Sequence, residues 1–117
     1  MGRIVHFEIT AAAPDDAARF YREAFGWTGE ASPFVPGYHL VATGDGPGID
    51  GAVMSSDYQA QPVILWLEVD DLEASLAAVE AAGGRRAGDV NEIPGQGRVV
   101  YVADPTGTRL GLRQPVV

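Results

Sequence analysis

The sequence contains no cysteine. Disulfides, thiolate metal sites and cysteine nucleophiles are therefore excluded. Positive charge is scarce as well: eight Lys plus Arg stand against sixteen Asp plus Glu, a formal net charge of −8. A nucleic-acid binder needs a basic stripe that displaces counterions, and an anionic membrane surface makes a similar demand. Neither is expected as a partner. No apolar run reaches the roughly 18 residues of a membrane span, and no basic segment followed by an apolar run opens the chain. A cytoplasmic protein is the expectation. What is present is 117 residues, 46% of them hydrophobic. That suffices for one packed domain and not comfortably for two. The acidic balance favours a cationic or neutral small molecule as ligand.

The chain reads as two halves with one plan. "RIVHFEIT" (3–10) alternates as a strand, and a helical stretch follows. Pro14 suits a first helical turn, while Asp15 and Asp16 complement the positive end of the helix dipole. Ala17, Phe20, Tyr21, Ala24 and Phe25 recur at helical spacing, and Gly26 can close the helix. Three β-like pieces come next: around Trp27–Ala31, at 38–43 and at 51–56. The second half restarts with "PVILWLEV" (62–69) and a helix from about Asp70 to Gly83–Gly84, where Asp70 and Glu73 resemble a capping box. Three further β-like pieces follow, around Arg85–Val90, at 98–103 and at 109–114. "DPTG" (104–107) supplies the last hairpin turn.

The order is βαβββ, twice. "FEI" (7–9) matches "LEV" (67–69), and Gly26 matches Gly84. The two offsets, 60 and 58, are both even, so strand parity survives the repeat. The expected fold is α+β: two βαβββ modules, about 1–57 and about 62–117, whose curved mixed sheets share a cleft. Parity assigns Val5, Phe7, Ile9, Val63, Leu65, Leu67 and Val69 to the helix-covered face. It assigns His6, Glu8, Thr10, Ile64, Trp66 and Glu68 to the cleft. Tyr38 and His39 are adjacent on a strand, so one faces the cleft and the other does not. Tyr58 lies in the segment between the halves.

"FYREAFGW" (20–27), "VDDLEASLAAVEAAGG" (69–84), "DPTGTRLGL" (104–112) and the paired βαβββ plan resemble the vicinal oxygen chelate superfamily. That group includes glyoxalase I, extradiol dioxygenases, fosfomycin resistance enzymes and bleomycin-binding resistance proteins. The likeness covers nearly the whole chain and implies one glyoxalase-like domain over 1–117. It is specific for a fold and not for a chemistry. Metal-dependent members place ligands at four cleft-facing strand positions. Carried over singly, the first falls on His6, a competent ligand, and the first of the second half on Ile64, which is not one. The last-strand position falls on Gly111, and the remaining one near Gly51–Val53, where no ligand type stands. A divalent ion wants three or four protein donors. No metal and no other cofactor is expected.

These residues suggest a ligand-binding wall of His6, Glu8, Tyr38, Ile64, Trp66, Glu68 and Gly111. Trp66 could stack on a planar ligand or pack against a partner, and Glu8 and Glu68 could meet its donors. The reading is a homodimer that binds a small aromatic or cationic natural product, as the bleomycin-binding, antibiotic-resistance members do. It leans against an enzyme. The alternative is an enzyme: a metal-dependent lyase or dioxygenase, or a metal-free isomerase or hydrolase that uses His6 and Glu8 as an acid–base pair. A third reading is a structural or regulatory dimer with an unused cleft.

Overall fold

The structure, a computed structural model, describes residues 2–116. Its elements follow the chain as β1 (Arg3–Ala11), α1 (Pro14–Phe25), β2 (Thr28–Ala31), β3 (Tyr38–Ala42), β4 (Gly51–Ser55), β5 (Val63–Glu68), α2 (Leu72–Ala81), β6 (Arg85–Arg86), β7 (Asn91–Ile93), β8 (Gly97–Ala103) and β9 (Arg109–Gln114). The fold is α+β, with the strand–helix–strands order repeated. Two compact units result. One is His6–Ile64; the other joins the residues up to Val5 to those from Leu65 onward.

In the His6–Ile64 unit the strand order is β2-β3-β4-β1. β4 runs parallel to β1 and antiparallel to β3, which is antiparallel to β2. The helix α1 packs on β3 and β4. It starts at Pro14, whose missing N–H costs nothing in a first turn, and has Asp15 and Asp16 beside its positive end. It ends at Gly26, which takes a left-handed φ of 75° and donates its N–H to the Arg22 carbonyl at 2.9 Å. Tyr21 turns inward and stacks on Trp27, with ring centroids 4.8 Å apart and planes 14° apart. Phe20 and Phe25 remain exposed, so the apolar stripe of α1 is only partly covered.

The second unit orders its strands β5-β9-β8-β6, with β7 added on β8. Again the first strand, β5, pairs in parallel with the last, β9. Leu72 and Leu76, one helical turn apart, project from α2 onto Val100, Val102 and Leu112. Val69 joins this core, and Leu67, Val79 and Leu110 pack at its margin. Register explains the set: Val100 lies opposite Leu112 and Val102 opposite Leu110, so all four side chains share the α2 face.

Three expectations need correction here. Val63 and Leu65, assigned to a helix-covered face, are 51% and 36% exposed. Leu65 does share the face of Leu110, but α2 packs on β6, β8 and β9. The α2 N-cap is Asp71 and not Asp70: its carboxylate accepts from the Ala74 N–H at 3.0 Å, so Glu73 completes no capping box. The single strand expected near 85–90 is two short ones, β6 and β7, separated by Ala87–Val90, where Gly88 and Asp89 favour a turn. No helix among the described residues is long and apolar enough to cross a membrane.

Candidate functional site

Side chains alternate along β1, and the register across β4 to β3 decides what accompanies them. Thr10 lies opposite Met54, and Met54 opposite Tyr38; Glu8 lies opposite Ala52, and Ala52 opposite Leu40. Tyr38 therefore shares the face of His6, Glu8 and Thr10. His39 pairs through Val53 with Ile9 and points to the α1 side. The choice between Tyr38 and His39 left open by the sequence resolves to Tyr38.

Between Glu8 and β3 stands Ala52, a side chain of one carbon that leaves room above β4. The Tyr38 phenol donates to Glu8 Oε2 at 2.7 Å. The same phenol oxygen lies 3.2 Å from His6 Nε2. A phenol has one proton to give. With that proton directed to Glu8, the Nε2–H tautomer of His6 is the donor to Tyr38. The result is a directional chain from His6 through Tyr38 to Glu8. Glu8 is 2% exposed, the one buried charged side chain among the described residues. A buried carboxylate is costly unless hydrogen-bonded, and the phenol offsets part of that cost. Thr10 is engaged elsewhere, donating to the Gln61 carbonyl at 2.9 Å. Ile64 is fully buried and offers an apolar wall only.

In the second unit, Trp66 lies opposite Gly111, and Gly111 opposite Tyr101. The indole sits directly on Gly111, where any Cβ would collide with its ring. It also meets the Tyr101 ring at 5.0 Å. At 7% exposed, Trp66 presents little ring surface to a stacked ligand. Its Nε1–H and the Arg113 Nε–H are buried without a hydrogen-bond partner among the described residues. Glu68 has Arg113 3.9 Å away, an interaction at the limit of an ion pair. Sequence reasoning did not assign a place to Arg113 or Tyr101. Their pairing with Glu68 and Gly111 depends on the register of β9 and β8, which no local pattern reports.

The donor set does not fit the divalent metal that the superfamily resemblance implies for its metal-dependent members. Among the described residues no three of His, Cys, Asp and Glu gather at one point. The last-strand position is a glycine covered by an indole, and Ala52 and Ile64 carry no donor. His6 and Glu8 supply one imidazole and one carboxylate, short of the three or four donors a divalent ion requires.

A family model described as a glyoxalase-like domain matches residues 6–112. CFP32 of Mycobacterium tuberculosis (strain CDC 1551 / Oshkosh), provisionally named a glyoxylase, is 28% identical over 118 residues, which cover 97% of this chain and 44% of that protein. The chain thus spans less than half the length of that relative. A glyoxylase-like domain-containing protein of Didymella fabae is 32% identical over 95 residues, covering 76% of this chain and 74% of that protein. Among solved structures, methylmalonyl-CoA epimerase from Mycobacterium tuberculosis superposes with a TM-score of 0.70 at 20% identity, covering 99% of this chain and 89% of the other. A glyoxalase/bleomycin resistance protein/dioxygenase superfamily member from Vibrio splendidus 12B01 gives 0.69 at 15% identity, covering 97% and 99%. At such identities the likeness is one of fold. The leaning against an enzyme is corrected by these findings. The relatives are named as glyoxylases, and the structural neighbours include several epimerases, which are enzymes.

Proposed function

The chain belongs to the glyoxalase-like domain family, and from that premise we propose that it is an isomerase-type enzyme in which Glu8, Tyr38 and His6 move a proton on a small carbonyl-bearing substrate. The observation that carries this reading is the buried Glu8 carboxylate, 2.7 Å from a phenol that is itself linked to an imidazole. The methylmalonyl-CoA epimerases among the fold neighbours support the same reaction class.

Glu8 is the proton acceptor. A C–H bond next to the carbonyl breaks, its proton passes to the Glu8 carboxylate, and its electron pair moves to the carbonyl oxygen. Protonated Glu8 no longer needs the Tyr38 proton. The phenol can then donate to the oxygen that has gained charge, where a positioned donor does most for the transition state. His6 holds the phenol oxygen and so fixes the direction in which Tyr38 donates. Return of the proton from Glu8 to a neighbouring carbon, or to the opposite face of the same carbon once the enolate has turned over, restores the carboxylate and leaves an isomer. No electrons are gained or lost, so the step requires no redox partner. The reading includes a two-fold dimer, supported by Ile4 and Leu65, apolar strand residues that are exposed in the single chain and available to a second copy.

The test is hydrogen exchange in D2O, followed by proton NMR, with methylmalonyl-CoA and a panel of small 2-oxo acids. The expected result is enzyme-dependent loss of the proton next to the carbonyl for at least one compound, slowed about 10²- to 10⁴-fold in Glu8→Gln. Exchange at the same rate in Glu8→Gln, or none above background across the panel, contradicts the proposal.

A further inference from the structure

Because β3 alternates, the strand that presents Tyr38 on one face presents His39 and Val41 on the other. There, under α1, lies a recess of about 300 Å³. Its lining includes Asp15, Arg19 and Arg22 from α1, with Trp27, His39 and Val41. The volume stands at the lower end of the range for small-molecule sites. No residue of the acid–base group takes part in it.

The charges around the recess are unequal in what they are free to do. Asp15 is engaged: the His39 Nε2 lies 2.6 Å from its Oδ1. Arg19 is held by Asp16 at 3.2 Å. Arg22 has no side-chain hydrogen bond or ion pair among the described residues. The chain has no lysine, and of its eight arginines two border this one recess, in a protein of net charge −8. Trp27 brings an apolar ring, held in place by the Tyr21 ring stacked on it and by the tilted rings of Phe7 and Phe25. An unengaged guanidinium beside an indole suits a molecule that is both planar and anionic. The guanidinium fork matches a carboxylate in bidentate fashion, and the indole accepts an aromatic ring.

We propose that this recess is a second binding site, for a small aromatic carboxylate held at its charge by Arg22 and at its ring by Trp27. The site is separate from the acid–base group in residues and in face, so ligands of the two need share no chemistry.

Calorimetric titration of the full chain with 2-naphthoate tests it, with uncharged 2-naphthylmethanol as the control. Arg22 is exposed on a helix, and glutamine is a comparable helix former, so Arg22→Gln leaves the fold intact. The expected result is saturable naphthoate binding that weakens about tenfold or more in Arg22→Gln. Arg22→Lys, which keeps the charge and loses the fork, is expected to fall between the two. The alcohol is expected to bind the native chain as weakly as naphthoate binds Arg22→Gln. Absence of naphthoate binding to the native chain at millimolar concentration overturns the proposal. So does equal binding by Arg22→Gln, or equal binding of acid and alcohol.

Discussion

Trp66 lies on Gly111 so closely that a single added carbon at position 111 meets the indole ring. The contact spans the parallel pair β5 and β9, where the two residues stand opposite one another. It gives that glycine a packing reason that a turn or a positive φ would not. Gly111→Glu, which puts a carboxylate at the last-strand ligand position that the superfamily resemblance implies, therefore has nowhere to put its side chain. The expected outcome is a loss of about 1–3 kcal/mol in urea unfolding, the usual cost of overpacking, with no metal retained on dialysis. A variant as stable as the parent would show that the indole moves aside at little cost.

Leu72 begins α2 and is fully buried in the core of the second unit. Its N–H also donates to the Gln114 side-chain carbonyl at 2.7 Å, which ties the helix start to β9. Leu72→Ala keeps that backbone bond and removes only the packed carbons. Chemical denaturation is expected to give a loss of about 2–5 kcal/mol. A loss below half a kcal/mol would mean that α2 does not depend on this contact.

Asp104 sits in the turn between β8 and β9. Its Oδ1 accepts from the Thr106 hydroxyl at 2.7 Å, the Thr106 N–H at 2.8 Å and the Thr108 N–H at 3.1 Å. The Thr106 hydroxyl, foremost, holds its carboxyl below the usual aspartate value. A carboxylate depressed in the folded state stabilises it above the unfolded pKa and ceases to do so as pH falls through the folded one. Asp104→Asn is therefore expected to be less stable than the parent at neutral pH, with the gap closing below the ordinary aspartate range. Thermal melts across pH 2–7 check this, in a window set by that lowered pKa. A gap that widens in acid would contradict the assignment.

The proposed dimer rests on exposed strand residues such as Leu65. Sedimentation of the parent at micromolar concentration is expected to show a dimer, and Leu65→Glu a monomer, because a charge buried in an interface without a partner is costly. A parent that sediments as a monomer would remove the dimer from the reading and leave the acid–base group untouched.

The elements were legible where a local rule governed them. Pro14 and Gly26 mark the ends of α1 because a first turn tolerates proline and a left-handed cap favours glycine. Alternation in "VHFEIT" placed His6 and Glu8 together, since parity requires no knowledge of neighbours. What could not be read was register. The loop from Thr43 to Asp50 breaks the count between β3 and β4, so the sequence left Tyr38 and His39 undecided, and with them the link from His6 to Glu8. Trp66 was read as lining a cleft, and in the structure it is buried against a glycine 45 residues along the chain with Tyr101 beside it. The exposure of Leu65 depends on which strands α2 covers, and helix periodicity does not fix that.

Glu8 and Tyr38 are proposed to act as one unit, and a double-variant cycle on the exchange reaction tests that most directly. Rates are to be measured for the parent, Glu8→Gln, Tyr38→Phe and the pair together, on whichever compound exchanges. Groups that act together lose most of their effect when either is removed. The prediction is that the double variant is no slower than Glu8→Gln alone, although Tyr38→Phe alone slows exchange about tenfold or more. Losses that multiply in the double variant, or a Tyr38→Phe as fast as the parent, would contradict it.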